Sequence, residues 1–281
     1  MKRINRVWWQ ITGLTLLNFP FIERLSFSWL PVCALNCYSC PIAQGACPIG
    51  TIQHFLVIGA IPLLALGFVG LWGIIAGRFW CGNVCPFGFF QDLLGKLRRR
   101  KIRIPHALEY GKYLSLVLLV VILPPILKEP FFCTLCPAGT LEAGIPIVSQ
   151  AWYEAKFASA DVLFSPNFGI IAMVGWWFWM KIGILVAYIA ASVVIRRPFC
   201  RTTCPLGALF GLFNRISILV HPKTGTEPGK KPRYNLKNCP VHITHPDQVD
   251  SSSCIKCREC YPTPYSPPKS PTIQSDTADQ R

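Results

Sequence analysis

The sequence predicts a mainly helical protein whose larger part is a polytopic membrane domain of about four transmembrane helices. Two features of the composition support this fold class. Hydrophobic residues make up 52% of the 281 residues and charged residues only 15%, whereas a soluble domain carries about 25% charged residues. The 14 cysteines are too many for packing alone. In a chain of this size they indicate metal ligation better than the disulfide framework of a small secreted domain.

Four apolar segments supply the predicted spans, since a spanning helix takes about 20 apolar residues. They cover residues 7–22, 55–76, 110–127 and 168–195, and the first is short. We interpret that first segment as a retained anchor, because it lacks an A-x-A-like cleavage site. Lys181, the only charge in the fourth segment, follows an aromatic stretch. We favour a lysine that snorkels to the interface over a functional charge.

The placement of basic residues predicts the orientation of these spans. Residues 78–112 contain eight lysines and arginines, whereas residues 128–167 contain only Lys128 and Lys156. The positive-inside rule puts the first of these segments in the cytoplasm and the second outside. Both termini are then cytoplasmic, in a multi-pass protein of a bacterial inner membrane. The formal net charge of +15 follows these loops, so we expect no nucleic-acid binding.

Composition divides the chain into three parts. Residues 1–215 form the predicted transmembrane helical domain, and residues 216–262 form a polar module that contains four cysteines. Residues 263–281 are rich in proline and serine, which is typical of a disordered tail.

Three cysteines of the polar module have the Cys-x-x-Cys-x-x-Cys spacing of a ferredoxin-type iron–sulphur site, namely Cys254, Cys257 and Cys260. Pro264 stands where the usual fourth cysteine would be. An upstream cysteine that also precedes a proline, Cys239, completes a set of four. The pattern predicts a cytoplasmic ferredoxin-like module with one [4Fe–4S] cluster, in preference to a zinc ion, which four cysteines can also bind.

Two near copies of one motif follow the second and fourth apolar segments. They read RFWCGNVCPFG, ending at Gly88, and RPFCRTTCPLG, ending at Gly207. Both lie on the predicted cytoplasmic face, where they supply the four thiolates that a [4Fe–4S] cluster needs, from Cys81, Cys85, Cys200 and Cys204. The proline after each second cysteine suits the first turn of a helix. Four buried structural thiols are the alternative, and we favour ligation.

Six further cysteines fall in segments predicted to lie outside the membrane: Cys33, Cys37, Cys40, Cys47, Cys133 and Cys136. Six thiols exceed the four that one cluster needs. A second membrane cluster is our first interpretation of this outer set, and disulfides or thiol exchange are the second. The chain is thus predicted to hold one [4Fe–4S] cluster, in the module, and up to three in all.

In the motifs CGNVCP and CRTTCP and the trailing cysteines up to Cys260, the sequence resembles the membrane iron–sulphur proteins related to NapH, MauN and the C-terminal part of NosR. The resemblance covers most of the chain. It implies a small helical membrane domain with a cytoplasmic ferredoxin module, and electron transfer, often from membrane quinol toward a reductase or a maturation pathway. The module departs from the better-known members, which carry two clusters there, and this leaves the cytoplasmic electron partner open.

The leading hypothesis is an electron-transfer component, rather than a self-contained enzyme, that lies in lipid and moves electrons between a quinone pool and a redox protein. Because the hydrocarbon core is about 30 Å thick, we expect quinone to carry electrons between the cytoplasmic and outer cysteines. Two alternatives stay open. One is a membrane thiol–disulfide oxidoreductase that uses Cys-x-x-Cys pairs. The other is a metal-reducing or assembly factor for a redox enzyme.

Overall fold

The structure is a computed structural model, and it describes residues 6–18, 31–37, 39–40, 45–98, 101–102, 104–157, 175–219, 236 and 239–260. This part of the chain is helical. Its only β pairing consists of two isolated bridges, between Pro31 and Ala46 and between Ile102 and Ile195. The predicted C-terminal tail lies outside the described residues.

Five helices make up the first half of the chain. They are α1 (Arg6–Asn18), α2 (Pro48–Ile58), α3 (Leu63–Ala76), α4 (Phe79–Asn83) and α5 (Pro86–Gly95).

The second half begins with a long helix, α6 (Ala107–Leu127), whose middle turns widen to a π-helix over Leu116–Ile122. A short helix, α7 (Phe131–Leu135), comes next. Pro137–Gly139, Thr140–Gly144 and Ile145–Phe157 then follow one another without a gap and are together named α8. The last helices of this half are α9 (Trp176–Val194), α10 (Pro198–Thr202) and α11 (Pro205–Phe213).

The prediction of one continuous span over residues 55–76 is wrong, because two shorter helices, α2 and α3, occupy this region. Gly59 ends α2 in the left-handed conformation, with φ of 82°. The N–H of Gly59 donates to Leu56 O and the N–H of Ala60 to Phe55 O, which is the Schellman arrangement. Pro62 then precedes α3, since proline cannot continue a helix.

Helices α6 and α9 are each long and apolar enough to cross a membrane. Their large apolar side chains face outward, with Leu114 66% exposed on α6 and Trp176 77% exposed on α9. A soluble domain does not leave apolar surfaces of this size in water. The predicted spans at 110–127 and 168–195 are therefore confirmed as apolar helices, the latter over residues 176–194. Helix α1 occupies the described part of the predicted first span.

The core places the cysteines of distant segments together. One contiguous buried cluster contains five of them, Cys47, Cys81, Cys85, Cys136 and Cys204, packed among apolar side chains. The C-terminal module has its own small core around Cys239, Val241, Ile243, Cys254 and Ile255. A third, smaller cluster contains Cys40 and Ala143.

Candidate metal centres

The two Arg-x-x-Cys-x-x-x-Cys-Pro motifs fold in the same way. The first cysteine of each lies in a short helix, Cys81 in α4 and Cys200 in α10. The second cysteine, Cys85 or Cys204, has an extended backbone and caps the next helix, with proline in its first turn. The N–H of Gly207 donates to Cys204 Sγ at 3.3 Å. The helix-starting role predicted for the proline is confirmed in both copies.

The two motifs are interlocked by their arginines. Arg78 of the first motif donates to the carbonyl oxygen of Cys200 at 3.0 Å, and Arg197 of the second donates to that of Cys81 at 2.8 Å. Both arginines are at most 1% exposed. A Cβ on Gly207 would come within 3.0 Å of Arg78 Nη2, so the glycine leaves room for the crossing guanidinium. Each motif is therefore completed by the other.

The four thiols of these motifs share one buried site, which we name the inner site (Cys81, Cys85, Cys200 and Cys204). All four are buried. Burial, followed by the charges of Cys200 and Cys81, raises the pKa of Cys85, and burial and the same two charges raise that of Cys204. Thiols so placed become thiolates only beside a compensating positive charge. Together with Gln91 Nε2, which lies 3.2 Å from Cys200 Sγ, this donor set fits an iron–sulphur cluster.

The four cysteines of the C-terminal module also share one site, the module site (Cys239, Cys254, Cys257 and Cys260). Burial, then the charges of the other three, raises the pKa of Cys260 to about 12. Lys256 and Arg258, which alternate with the cysteines, have φ of 48° and 60°, and left-handed residues of this kind tighten a loop. The N–H of Ile243 donates to Cys239 Sγ at 3.4 Å. This set likewise fits a cluster.

The module site is docked directly against the inner site. Arg78 donates to Ser252 O at 2.8 Å as well as to Cys200 O, and Asn214 Nδ2 donates to Cys254 O at 2.9 Å. A Cβ on Gly82, the residue after Cys81, would overlap the carbonyl oxygen of Ile255, the residue after Cys254. A backbone-to-backbone contact thus joins the residues that follow one cysteine of each site.

The structure separates the six cysteines of the predicted outer set. Four of them line one small cavity of about 30 Å³, and we name them the upper site: Cys37, Cys47, Cys133 and Cys136. Neither Cys33 nor Cys40, both described, lines this cavity. Cys33 lies within the electrostatic range of Cys81, and Cys40 packs with Cys37 and Ala143. All fourteen cysteines of the chain are free thiols in the structure.

Two polar side chains that the sequence analysis missed, one partly buried and one fully buried, hold the backbone of the upper site. Glu142 Oε2 accepts from the N–H of Cys37 at 2.8 Å, and burial raises the pKa of Glu142 to about 7. Gln53, which is fully buried, accepts from the N–H of Cys133 at 3.2 Å and donates to Leu119 O at 2.8 Å. A glutamine or glutamate within an apolar segment is the sequence feature that could have identified these two residues.

No three His, Cys, Asp or Glu side chains among the described residues are arranged to hold a single metal ion. A zinc ion draws its sulphur ligands to about 2.3 Å from one point. A cluster of four irons is a larger body, and its thiolates do not converge on one atom. Each of the three sites brings together four thiols, the number that a [4Fe–4S] cluster needs.

A family model for a 4Fe-4S binding domain matches residues 57–105, 113–146 and 170–226. The matched residues include both cysteine motifs of the inner site and the two cysteines of α7 and its end. The match therefore bears on cluster binding in the membrane domain, and it ends before the four cysteines of the module.

Several known proteins are similar over most of the chain. An uncharacterized protein of Methanocaldococcus jannaschii is 28% identical over 76% of this chain and 81% of its own length. The regulatory protein NosR of Pseudomonas aeruginosa is 24% identical over 72% of this chain, which is only 25% of NosR. The ferredoxin-type protein NapH of Escherichia coli is 24% identical over 76% of this chain and 69% of its own length.

No solved structure is significantly similar to this chain. The family model, the relatives and the grouped cysteines agree on the cofactor, which is the [4Fe–4S] cluster. The apolar helices α6 and α9 agree with a membrane location. The chain belongs to the family of membrane 4Fe-4S binding proteins related to NapH and NosR.

Proposed function

We propose that this protein is a membrane electron carrier in which one electron passes between a [4Fe–4S] cluster at the module site and another at the inner site. The contact of Gly82 with Ile255 carries this proposal, because it brings the backbones that follow Cys81 and Cys254 together. The bond from Asn214 to Cys254 O adds a second short connection. A bound [4Fe–4S] cluster supplies reversible one-electron chemistry, and its potential depends on charge, hydrogen bonds and solvent exposure.

The residues of the inner site are suited to hold and tune such a cofactor. Arg78 and Arg197 bring two positive charges into a buried environment, which stabilises the thiolates and favours the reduced, more negative state. Gln91 and the N–H of Gly207 each donate to a sulphur. Since the thiols are buried, thiol–disulfide exchange with a protein substrate is disfavoured.

The membrane arrangement that we propose has four crossings, made by α1, the α2–α3 region, α6 and α9, with both termini and the module in the cytoplasm. The basic residues between 78 and 112 support this orientation. A quinone in the lipid is the proposed partner on the membrane side, because a lipid-soluble carrier can reach the apolar surface of α6.

A redox protein with an acidic surface is the proposed partner on the cytoplasmic side. Next to the module, a cavity of about 410 Å³ is lined mainly by basic side chains. They are Arg6, Lys96, Arg98, Lys101, Arg196 and Arg197. Charge of one sign around such a concave surface speeds the encounter with a partner of opposite charge.

Replacing any one of Cys81, Cys85, Cys200 and Cys204 by serine is expected to remove the inner cluster, because three thiolates and an alcohol hold it poorly. Iron in the anaerobically purified protein should fall by about four atoms per chain. In liposomes that contain the protein and a water-insoluble quinone, electron transfer from the reduced module to the quinone should stop. Cys33→Ser is the matched control, and it should keep wild-type iron. Unchanged iron and electron flow in all four variants would refute the proposed function.

A further inference from the structure

We propose that Cys37, Cys47, Cys133 and Cys136 hold a third iron–sulphur cluster, buried in the same helical core as the inner site and close enough to exchange electrons with it directly. The inference rests on the proposed function, which it extends from two sites to three. It also replaces the expectation that the breadth of the membrane separates the outer cysteines from the inner ones.

The convergence of these four thiols is the first step. They come from three separate segments, yet all four line one cavity whose other walls are largely apolar. Cys37, Cys47 and Cys136 all act electrostatically on Cys133. A cluster needs four thiolates, and this cavity contains four of the six cysteines available.

The length of α1 measures how far the upper site lies from the inner site. A Cβ on Gly13 would meet Val84, the residue before Cys85. One helical turn further along, Leu17 O accepts from Asn36, the residue before Cys37, at 3.2 Å. Four residues of a helix advance about 6 Å. The two ligands therefore lie beside neighbouring turns of one helix rather than at opposite membrane faces.

Leu35 connects the two sites directly. Its backbone lies beside the sulphur of Cys85, and the residue also lines the upper cavity, two residues before Cys37. Cys47 and Cys136 of the upper site also belong to the same buried cluster as Cys81 and Cys85. A continuous buried core thus joins cysteines of the two sites.

The break between α2 and α3 is consistent with this placement. In a single long span, Cys47 would be separated from Cys81 by the whole thickness of the membrane. Instead, α2 ends at Gly59 and α3 starts at Leu63, and Cys47 and Cys81 belong to the same buried cluster. Quinone is then not required between these two sites.

The chemistry of the proposed site balances without another reagent. A cluster that arrives with four exchangeable outer ligands gives up these four Fe–ligand bonds as four S–Fe bonds form, and the four thiol protons leave with the displaced ligands. Exchange with the inner site moves one electron, so that one cluster is oxidised by one electron while the other is reduced by one. The N–H of Cys37 donates to Glu142, and the N–H of Cys133 donates to Gln53. Because these hydrogen bonds fix the backbones of two proposed ligands, Glu142 and Gln53 are positioning residues.

The test compares serine variants of the four proposed ligands with Cys33→Ser and Cys40→Ser, which change the two neighbouring cysteines outside the cavity. The full-length protein is purified without oxygen, and iron and sulphide are counted per chain. About twelve irons are expected in the wild type and both controls, and about eight in each ligand variant. In the dithionite-reduced wild type, the electron paramagnetic resonance spectrum should show magnetic coupling of the inner cluster, which Cys136→Ser should abolish.

The outcomes separate this inference from the proposed function. Eight irons in the wild type, with losses in Cys81→Ser and Cys254→Ser but in none of the four upper variants, would overturn the third cluster and leave the proposed function standing. Retained iron in Cys81→Ser would defeat the proposed function instead. If the upper variants fail to accumulate, the wild-type iron count and spectral coupling decide. A disulfide among the four cysteines of the iron-loaded wild type, found by alkylation and mass spectrometry, would also overturn the inference.

Discussion

Replacement of Arg197 by leucine is expected to lower the free energy of unfolding by about 3–5 kcal/mol, the usual cost of removing one partner of a buried ion pair. Arg197 is 1% exposed. It holds Asp92 with two hydrogen bonds, of 2.8 Å from Nε and 2.6 Å from Nη2, and it also donates to Cys81 O. Leucine leaves the carbonyl oxygen of Cys81 without this donor, and it leaves the Asp92 carboxylate with Arg6 and Gln10 as its remaining partners.

The effect of Arg197→Leu should depend on pH with a definite sign. Burial alone would raise the pKa of Asp92, but the charge and hydrogen bonds of Arg197 outweigh it and hold this pKa below its ordinary value. A depressed pKa contributes stability above the unfolded-state pKa of about 3.9, and the contribution is lost as the pH falls through the folded-state pKa. The difference in the free energy of unfolding between the wild type and Arg197→Leu should therefore become smaller at acidic pH.

Denaturant unfolding in detergent, followed at pH 7 and at successively lower pH, measures both effects. Arg98→Leu is the matched control, because Arg98 is an exposed arginine on the same side of the molecule. Surface substitutions of this kind change stability by about 0.5 kcal/mol or less. A loss below about 1 kcal/mol in Arg197→Leu would contradict the interlocking of the two motifs as a source of stability.

The second large effect is expected from Gly82→Ala, which should uncouple the module from the membrane core while both clusters remain. The added Cβ would overlap the carbonyl oxygen of Ile255, which is backbone and cannot rotate away. Overpacking costs about 1–3 kcal/mol, or roughly a 5- to 150-fold shift in the docking equilibrium. Electron transfer from the module site to the inner site should slow by a similar factor.

Rapid-mixing kinetics of the reduced protein, together with iron counts, would check this expectation. Gly95→Ala is the matched control, since a Cβ on Gly95 meets nothing within 4 Å. Limited proteolysis should cut the Gly82→Ala protein between α11 and the module faster than the control. Wild-type transfer rates with full iron in Gly82→Ala would show that electrons do not take the route through the Gly82 contact.

The local structure of the cysteine motifs could be predicted from sequence, because it depends on neighbouring residues. The prolines after Cys85 and Cys204 start helices, as expected from their missing N–H groups. Ligation of a cluster by the four inner-site thiols stays a prediction. The structure adds that these thiols share one buried site. The apolar segments that became α6 and α9 could be predicted by length and hydropathy alone.

The position of the upper site could not be predicted in the same way. Hydropathy treats residues 55–76 as one apolar stretch, whereas Gly59 and Pro62 end one helix and delay the next. Once that stretch is read as a single span, charge counting assigns Cys47 to the far side of the membrane. The crossed contacts of the two arginines could not be predicted either, since nothing in the sequence near Arg78 indicates Cys200 as its partner.

The crossing of the arginines has a consequence for how the protein is made. The hydrogen bonds from Arg78 to Cys200 and from Arg197 to Cys81 span 122 and 116 residues. At a synthesis rate of about 5–20 residues per second, the first motif waits on the order of ten seconds for the second to emerge. A nascent chain that ends before Arg197 already contains Cys81 and Cys85 of the first motif. It lacks the positive charge of Arg197, which belongs to the surroundings of this cysteine pair in the folded protein. Iron is therefore expected to enter the membrane core late, after the ribosome has passed the second motif.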